Sequence, residues 1–366
     1  MTTMAPSART KVSADTHVNE PHDLWYTRLD RGLRDKAPRR IQTNDDGTWR
    51  LVIDGGPMGW GDMPDTEAKR LEREREAAAD PAVRIEAMRV DGINAEVIYP
   101  TIGLYLWNIT DGDVGTACCR IYNDWIDETM GGQARIGLTG TIPTWNVDAA
   151  VAEVERNAER GFVAHMMPIH ADPTWNHPQW ERLWAAINAT GKPVVMHQAT
   201  GHEQLFYRGW GSGLTNLVAI NTMAPRVTVL LASSGVLARY PDLHVILVEV
   251  NGGWLGSTIE YVSEYQVSHA KWQKPALDLL PSEYIKRQMH VTFQNDPLAV
   301  RNRDITGVEC LLWGNDYPHA EGTYPNSAKI VDELFRDVPD QDVAAMIGGT
   351  AAKLFGFSDE LLATPV

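Results

Sequence analysis

Four short segments, spread over three hundred residues, each end in a carboxylate or imidazole residue at the tip of an apolar run. Asp15-Thr16-His17 follows Lys11-Val12-Ser13-Ala14, and His197 closes Pro193-Val194-Val195-Met196. Glu249 follows His244-Val245-Ile246-Leu247-Val248, and Asp316 follows Cys310-Leu311-Leu312-Trp313-Gly314-Asn315. Such side chains hold Zn, Mn or Fe when a coordination position must stay open. Residues so far apart meet only if their strands lie side by side with their C-terminal ends together. A parallel barrel does this and keeps its chemistry at that end. The pattern points to a metalloenzyme.

The rest of the chain reads as alternating strand and helix. Strands are expected at Ser13–Val18, Asn94–Pro100, Arg135–Pro143, Phe162–Pro168, Pro193–His197, His244–Glu249, His290–Phe293 and Cys310–Asp316. Pro81 marks the first turn of a helix over Asp80–Asp91. Val147, Val151, Val154 and Ala158 recur at helical spacing, and Gly161 stops that helix. Trp180, Leu183, Trp184 and Ile187 line the next, which Gly191 ends. A long helical region spans Asn216–Arg239, and a last helix runs from Asp340–Asp342 to Phe355. Eight strands with intervening helices is a barrel count.

Residues 28–79 exceed a plain connection between the first two strands. Arg40–Thr43 and Thr48–Ile53 flank Asn44-Asp45-Asp46-Gly47 as a hairpin. A glycine-rich loop over Gly55–Gly61 carries Trp60, and Glu67–Ala79 is a charged helix. This insertion is a lid or substrate wall, or else an oligomer contact or solvated elaboration.

At 366 residues and 43% hydrophobic composition, one large domain with insertions over residues 1–366 is expected. The formal charge of −15 argues against nucleic acid or an anionic membrane as partner. Cys118, Cys119 and Cys310 form no disulfide or zinc-finger pattern. The N-terminus lacks the apolar core of a signal peptide, and the hydrophobic stretch Val227–Ala238 is too short to span a bilayer. A soluble cytoplasmic enzyme acting on a small molecule is the expectation.

Singly, the candidate ligands are weak signals. Asp15 and His17 lie two apart, so on an extended strand they face one way. A lone Asp-x-His pair is common, however, and a buried His197 can simply be hydrogen-bonded. Their order along the chain is what gives them weight. Ala14-Asp15-Thr16-His17-Val18-Asn19-Glu20-Pro21-His22-Asp23-Leu24-Trp25 resembles the start of the amidohydrolase-related proteins grouped with aminocarboxymuconate-semialdehyde decarboxylase. Tyr240-Pro241-Asp242-Leu243-His244-Val245-Ile246, Gly314-Asn315-Asp316-Tyr317-Pro318-His319 and Gly349-Thr350-Ala351-Ala352-Lys353-Leu354-Phe355-Gly356 continue the likeness, over about residues 12–357. The resemblance implies a distorted (β/α)8 TIM-like barrel of the amidohydrolase superfamily with an insertion between strands 1 and 2. It also implies one divalent metal, sometimes two, held by Asp15, His17, His197 and Asp316, and a homo-oligomer.

The chain departs from that pattern at several points. Asp15 stands where the family more often has histidine, and Glu249 where a histidine acid or base is common. The fourth strand has no lysine, so a lysine-bridged hydrolase site is not expected, and Thr350 replaces the usual asparagine. Three chemistries follow. In metal-assisted hydrolysis, Asp316 takes a proton from water and Glu249 or His202 returns one to the leaving group. In non-oxidative decarboxylation, Asp316 with a neighbouring histidine protonates the carbon. In the third, a dinuclear iron centre activates oxygen; Glu249 helps bind a second metal, and His165 or His202 adds to the ligands. Glu249 is otherwise a residue that orients a ligand histidine from behind.

Thirteen tryptophans suggest an aromatic mouth for a bulky aromatic or polycyclic substrate. Trp25, Trp60, Trp107, Trp210, Trp254, Tyr207 and Tyr324 are the candidates, with Arg208, Arg301 or Arg303 for an anionic group. Packing between barrel and helices is the more ordinary fate of tryptophan.

Overall fold

The computed structural model describes residues 10–43, 49–57, 78–201, 207–319 and 321–366. Eleven strands are found among them. These are β1 (Val12–Val18), β2 (Arg39–Gln42), β3 (Trp49–Ile53), β4 (Gly56–Pro57), β5 (Ala95–Pro100), β6 (Ile136–Thr141), β7 (Ala164–Pro168), β8 (Val194–His197), β9 (Val245–Val248), β10 (Met289–Phe293) and β11 (Leu311–Trp313). Eight form one sheet in the order β1-β5-β6-β7-β8-β9-β10-β11, and every neighbouring pair in it is parallel. All eight expected strands are present. Their apolar runs are nearly continuous because a parallel sheet is covered on both faces.

The sheet curls into a (β/α)8 barrel. Asp316 N–H donates to Asp15 O at 2.9 Å and His17 N–H to Tyr317 O at 2.6 Å, which joins the tips of β11 and β1. Ala14, Val97, Met166, Val195, Ile246, Val248 and Leu312 fill the barrel interior. Ile98, Met167, Val194, Leu247, Phe293 and Trp313 face outward into the larger helix-covered core. Strand alternation thus supplies two cores from one set of runs.

The connecting helices carry the expected punctuation. Asp80 caps Pro81–Asp91 through Ala82 N–H, and Gly92 ends it at φ 68°. Asn146 caps Val147–Glu159, and Gly191 closes Glu181–Thr190 at φ 65°. The region expected as one long helix divides into Ser212–Ile220, Met223–Ser233 and Val236–Arg239. A turn at Asn221–Thr222 and left-handed Gly235 make the two breaks. Ser212–Ser233 as a whole is long and apolar enough by composition to cross a membrane, contrary to expectation. Its second half, however, is a core helix, anchored by Ala224, Val227 and Leu231. The last helix is also broken, by a π-type turn over Ala345–Gly349. A Cβ on Gly348 would lie 2.8 Å from both Thr10 O and Val12 N, so glycine is what allows this turn to press on the start of β1.

The insertion after β1 holds the expected antiparallel pair, β2 with β3, registered from Arg39↔Val52 to Gln42↔Trp49. Gly56–Pro57, expected as loop, pairs with β3 instead. Residues 44–47, Trp60 and nearly all of the expected helix Glu67–Ala79 lie outside the described residues; Ala78 and Ala79 form a turn. The hairpin is tied to the C-terminal side of β5. Asp54 accepts from Thr110 Oγ1 at 2.6 Å, and Lys36 Nζ donates to Asp111 Oδ2 at 2.7 Å.

Candidate metal centre

Strict alternation along β1 would turn Val12 and Ala14 inward and Asp15 and His17 outward. The register against β5 prevents this. Ser13 pairs with Glu96, whereas Thr16 pairs with Ile98, so β1 carries one extra residue between them. The bulge reverses the parity and swings Asp15 and then His17 to the inner side, level with Tyr99. Ser13 Oγ holds it, donating toward Asp15 O at 3.0 Å and Asn315 Oδ1 at 2.9 Å and accepting from Asn315 N–H at 2.9 Å. Asn315 Nδ2 donates in turn to Asp91 Oδ2 at 2.9 Å. A buried polar network therefore sets the positions of both aspartates.

His17 and His197 are oriented alike. His17 Nδ1 meets Pro100 O at 2.8 Å and His197 Nδ1 meets Gln198 O at 3.0 Å. A carbonyl only accepts, so each Nδ1 carries the proton and each Nε2 presents a lone pair. The two Nε2 atoms face each other at 3.1 Å. Two lone pairs at that distance repel unless a cation or a proton lies between them.

The carboxylates close around the same point. His17 Nε2 is 3.7 Å from Asp15 Oδ1, 3.6 Å from Asp316 Oδ1 and 3.8 Å from Glu249 Oε2. His197 Nε2 is 3.1 Å from Glu249 Oε2. Among the described residues, Asp15 Oδ1, both Asp316 carboxylate oxygens and His319 Nδ1 are buried with no hydrogen-bond partner. Thr292 Oγ1 donates to Asp15 Oδ2 at 3.1 Å while accepting from Glu249 N–H at 2.7 Å. Gln198 Nε2 fixes the other Glu249 oxygen at 2.6 Å. Glu249 faces the inner nitrogen of His197, so it does not orient that ring from behind; the Gln198 carbonyl does. Glu249 and Asp316 both adopt left-handed backbone, at φ 59° and 55°. Non-glycine residues seldom do so, and such strain gathers at functional sites.

His319 completes the cluster, with Nδ1 2.9 Å from Asp316 Oδ1 and its ring stacked on His17 at 4.1 Å. Two overlapping sets of potential ligands result: Asp15, His17 and His197, and His17, Glu249, Asp316 and His319, each with its ligand atoms within 4.8 Å of one another. His319 lies outside the expected ligand set. Its sequence signal is its place at the end of Gly314-Asn315-Asp316-Tyr317-Pro318-His319, beside Asp316. The side chains of Glu249 and His319 are 13% and 14% exposed, whereas those of Asp15, His17, His197 and Asp316 are sealed. The open side of the cluster is therefore the side of Glu249 and His319.

Without a cation the cluster opposes its own charge. Burial first, and then the Asp316 carboxylate, push Asp15 well above the usual carboxylate range. Burial and Glu249 do the same to Asp316. Burial, with His319 and His197 beside it, holds His17 well below the usual imidazole range. Burial also works to lower His197, but Glu249, with Asp15 and the Gln198 carbonyl, outweighs it and the net shift is upward. Crowded, desolvated acids beside two imidazoles whose Nε2 atoms point inward fit a divalent ion, which would repay the desolvation and pair with every one of them.

Several expected site residues lie elsewhere. His165 turns out of the barrel and bonds Thr190 Oγ1 at 3.0 Å, because inward positions on β7 fall to Ala164 and Met166. Trp25 is buried in the helix layer with Nε1 on Cys118 O, so it forms no mouth. Trp254 bonds the Val250 carbonyl at 2.8 Å, and Trp107 packs with the barrel-interior cluster. Trp210 and Tyr207 are exposed, as is Arg208. Tyr324 packs on Tyr317 at 4.8 Å. Arg303 is taken up by Asp342 on the closing helix, and Arg301 is exposed. His202 and Trp60 lie outside the described residues.

The family model described as amidohydrolase matches residues 14–357. No match was found among curated protein sequences. Solved structures with the same fold include an amidohydrolase from Mycobacterium avium subsp. paratuberculosis K-10, at TM-score 0.77 and 17% identity over 97% of this chain and 100% of that one. The 5-carboxyvanillate decarboxylase of Sphingomonas paucimobilis superposes at TM-score 0.67 with 21% identity, over 96% and 100% of the two chains. A dihydroxybenzoic acid decarboxylase from Polaromonas sp. JS666, solved with bound manganese and 2-nitroresorcinol, gives TM-score 0.70 and 15% identity over 98% and 100%. At these identities the likeness is one of fold.

Proposed function

As the chain belongs to the amidohydrolase family, we propose that it is a divalent-metal-dependent enzyme that removes carbon dioxide, without oxidation, from a small aromatic or polycyclic carboxylic acid. The observation that carries this reading is the meeting of two imidazole lone pairs, 3.1 Å apart, with the unpartnered oxygens of Asp15 and Asp316. Asp15, His17, His197 and Asp316 would hold the ion. Bound there, a divalent cation supplies Lewis-acid charge to a substrate oxygen.

The chain's own residues supply the rest. His319 stands on the open side, with Nδ1 2.9 Å from Asp316 Oδ1 but not hydrogen-bonded to it, and is the group placed to give a proton to carbon. Hydrolysis is the competing reading, and Asp316 as base with Glu249 as acid would serve it; what the barrel does not offer is the metal-bridging lysine of the lysine-bridged hydrolases. The inner face of β7 offers Ala164 and Met166 where a bridging lysine would stand. The decarboxylases named above add support, since they share this fold and one was solved with manganese.

The test is metal content together with carbon dioxide release from a panel of hydroxybenzoates and larger aromatic acids. One manganese or zinc per chain with carbon dioxide released, both lost in Asp316→Asn, is the expected result. Ester, amide or lactone cleavage with no carbon dioxide from any acid would replace decarboxylation by hydrolysis.

The second reading, a dinuclear iron oxygenase with Glu249 on a second ion, is not favoured by this geometry: the two ligand sets share His17, whose one free nitrogen, Nε2, holds a single ion. Its signature is two irons per chain, falling to one in Glu249→Ala.

A further inference from the structure

Arg84 is fully buried on the helix Pro81–Asp91, outside the barrel wall and behind β1. Its guanidinium is committed on every side. Nε donates to Glu96, Nη1 to His17 O at 2.7 Å and Ala78 O at 3.2 Å, and Nη2 to Thr16 Oγ1 at 2.6 Å. The Tyr317 ring lies beneath it, 5.5 Å from its centroid. These partners belong to the tip of β1, to β5, to the turn that ends the insertion, and to the loop that carries Asp316.

We infer that Arg84 is a positioning residue that holds His17 in place for the metal. The chain around His17 has three fixed points. Its N–H bonds Tyr317 O at 2.6 Å, its ring Nδ1 bonds Pro100 O at 2.8 Å, and its carbonyl bonds Arg84 at 2.7 Å. Two of the three pass through groups that Arg84 touches, since it also packs on Tyr317. A planar fork of donors suits this post, because one side chain reaches two carbonyls, a hydroxyl and a carboxylate at fixed angles. Glu96 neutralises the charge, so the post can be buried. Its bond to Ala78 makes the same side chain the tie between the end of the insertion and the metal centre.

This inference rests on the metal reading of the cluster, and the experiment separates the two. Removing Arg84 alone would strand the Glu96 charge, whereas replacing a whole buried pair by apolar residues of similar volume is often neutral for stability. The variant is therefore Arg84→Met with Glu96→Leu, beside Arg84→Lys, which keeps one donor group. Mn2+ affinity is measured by titration calorimetry on metal-free protein. Amide exchange across residues 12–18 is followed in the same samples before metal is added.

Groups behind metal ligands typically carry a 10- to 100-fold effect on affinity, so the double variant is expected to bind Mn2+ about 10- to 100-fold more weakly. Exchange at residues 16–18 should be faster, and Arg84→Lys should fall between the variant and the parent in both readouts. A folded double variant with parental Mn2+ affinity and parental exchange overturns the role. If the double variant does not fold, Arg84→Lys decides: parental values in both readouts overturn the role. A parent protein that binds no Mn2+, Zn2+ or Fe2+ overturns the metal reading itself and this inference with it.

Discussion

The smallest residue near the centre makes one of its tightest contacts. A Cβ on Gly314 would fall 2.6 Å from Asp15 Cβ and 2.9 Å from Asp15 N, where no side chain fits. Gly314→Ala must therefore push β1 and β11 apart at the point where Asp15 and Asp316 are set. Metal content is expected to fall at least tenfold in protein that still folds, by elemental analysis; full occupancy would show that the tips tolerate separation. Neutralising Asp316 tests the same centre from the side of charge. Asp316→Asn removes one of two buried acids that repel each other, so the metal-free variant should melt no lower than the metal-free parent. It should also lose the rise in Tm that added Mn2+ gives the parent. A metal-free variant that melts well below the metal-free parent would mean that Asp316 has a stabilising partner other than a cation.

At the level of elements, the bulge in β1 decides whether the barrel has a site at all. Ser13→Ala removes the hydroxyl that braces it against Asp15 O and Asn315. Leaving those buried groups unpaired costs about 1–3 kcal/mol, and the expected outcome is a lower Tm together with weaker Mn2+ binding. A lower Tm with unchanged affinity would make the hydroxyl a fold determinant only. The bulge also marks how far the sequence can be read. All eight strands were legible, because a parallel strand buried on both faces announces itself as an apolar run ended by polar residues. Asp15 and His17 were expected on one face and do share one, but simple alternation from Val12 and Ala14 would have put them on the outer face. One inserted residue leaves no mark on composition, so the bulge itself was not legible. His319 was expected only as part of a motif beside Asp316 and not as a ligand, because it lies in a turn, where neither period applies. His165 misled because a histidine on a strand beside the site carries no sign of which face it takes. Trp25 misled similarly, since an aromatic that lines a mouth and one that packs under a helix, as it does, have the same sequence signature.

The whole molecule feels pH through buried groups far from the cluster as well as in it. Burial lowers His165 and His290 to about 4 from an ordinary value of 6.5, with Lys192 adding to the effect at His165 and His244 at His290. An unfolded chain takes up these protons near pH 6.5, whereas the folded chain refuses them until about pH 4. Each group therefore costs stability as pH falls through that window, by up to about 3 kcal/mol at 1.36 kcal/mol per unit, and costs no more below it. Burial raises Asp15, Glu20, Glu96 and Asp316, which work in the opposite direction, so the raw stability curve mixes both signs. A single substitution isolates one contribution. His165→Leu gives up one hydrogen bond to Thr190 and keeps the side chain apolar and of similar size, so at pH 7.5 it should lie within about 1 kcal/mol of the parent. Between pH 7 and 4.5 the variant should gain about 2–3 kcal/mol on the parent, seen as a Tm difference that moves steadily in its favour. A Tm difference that stays flat over that range would mean that His165 takes up its proton in the folded barrel as readily as in the unfolded chain. The outer core beside β7 would then be wetter than its packing implies.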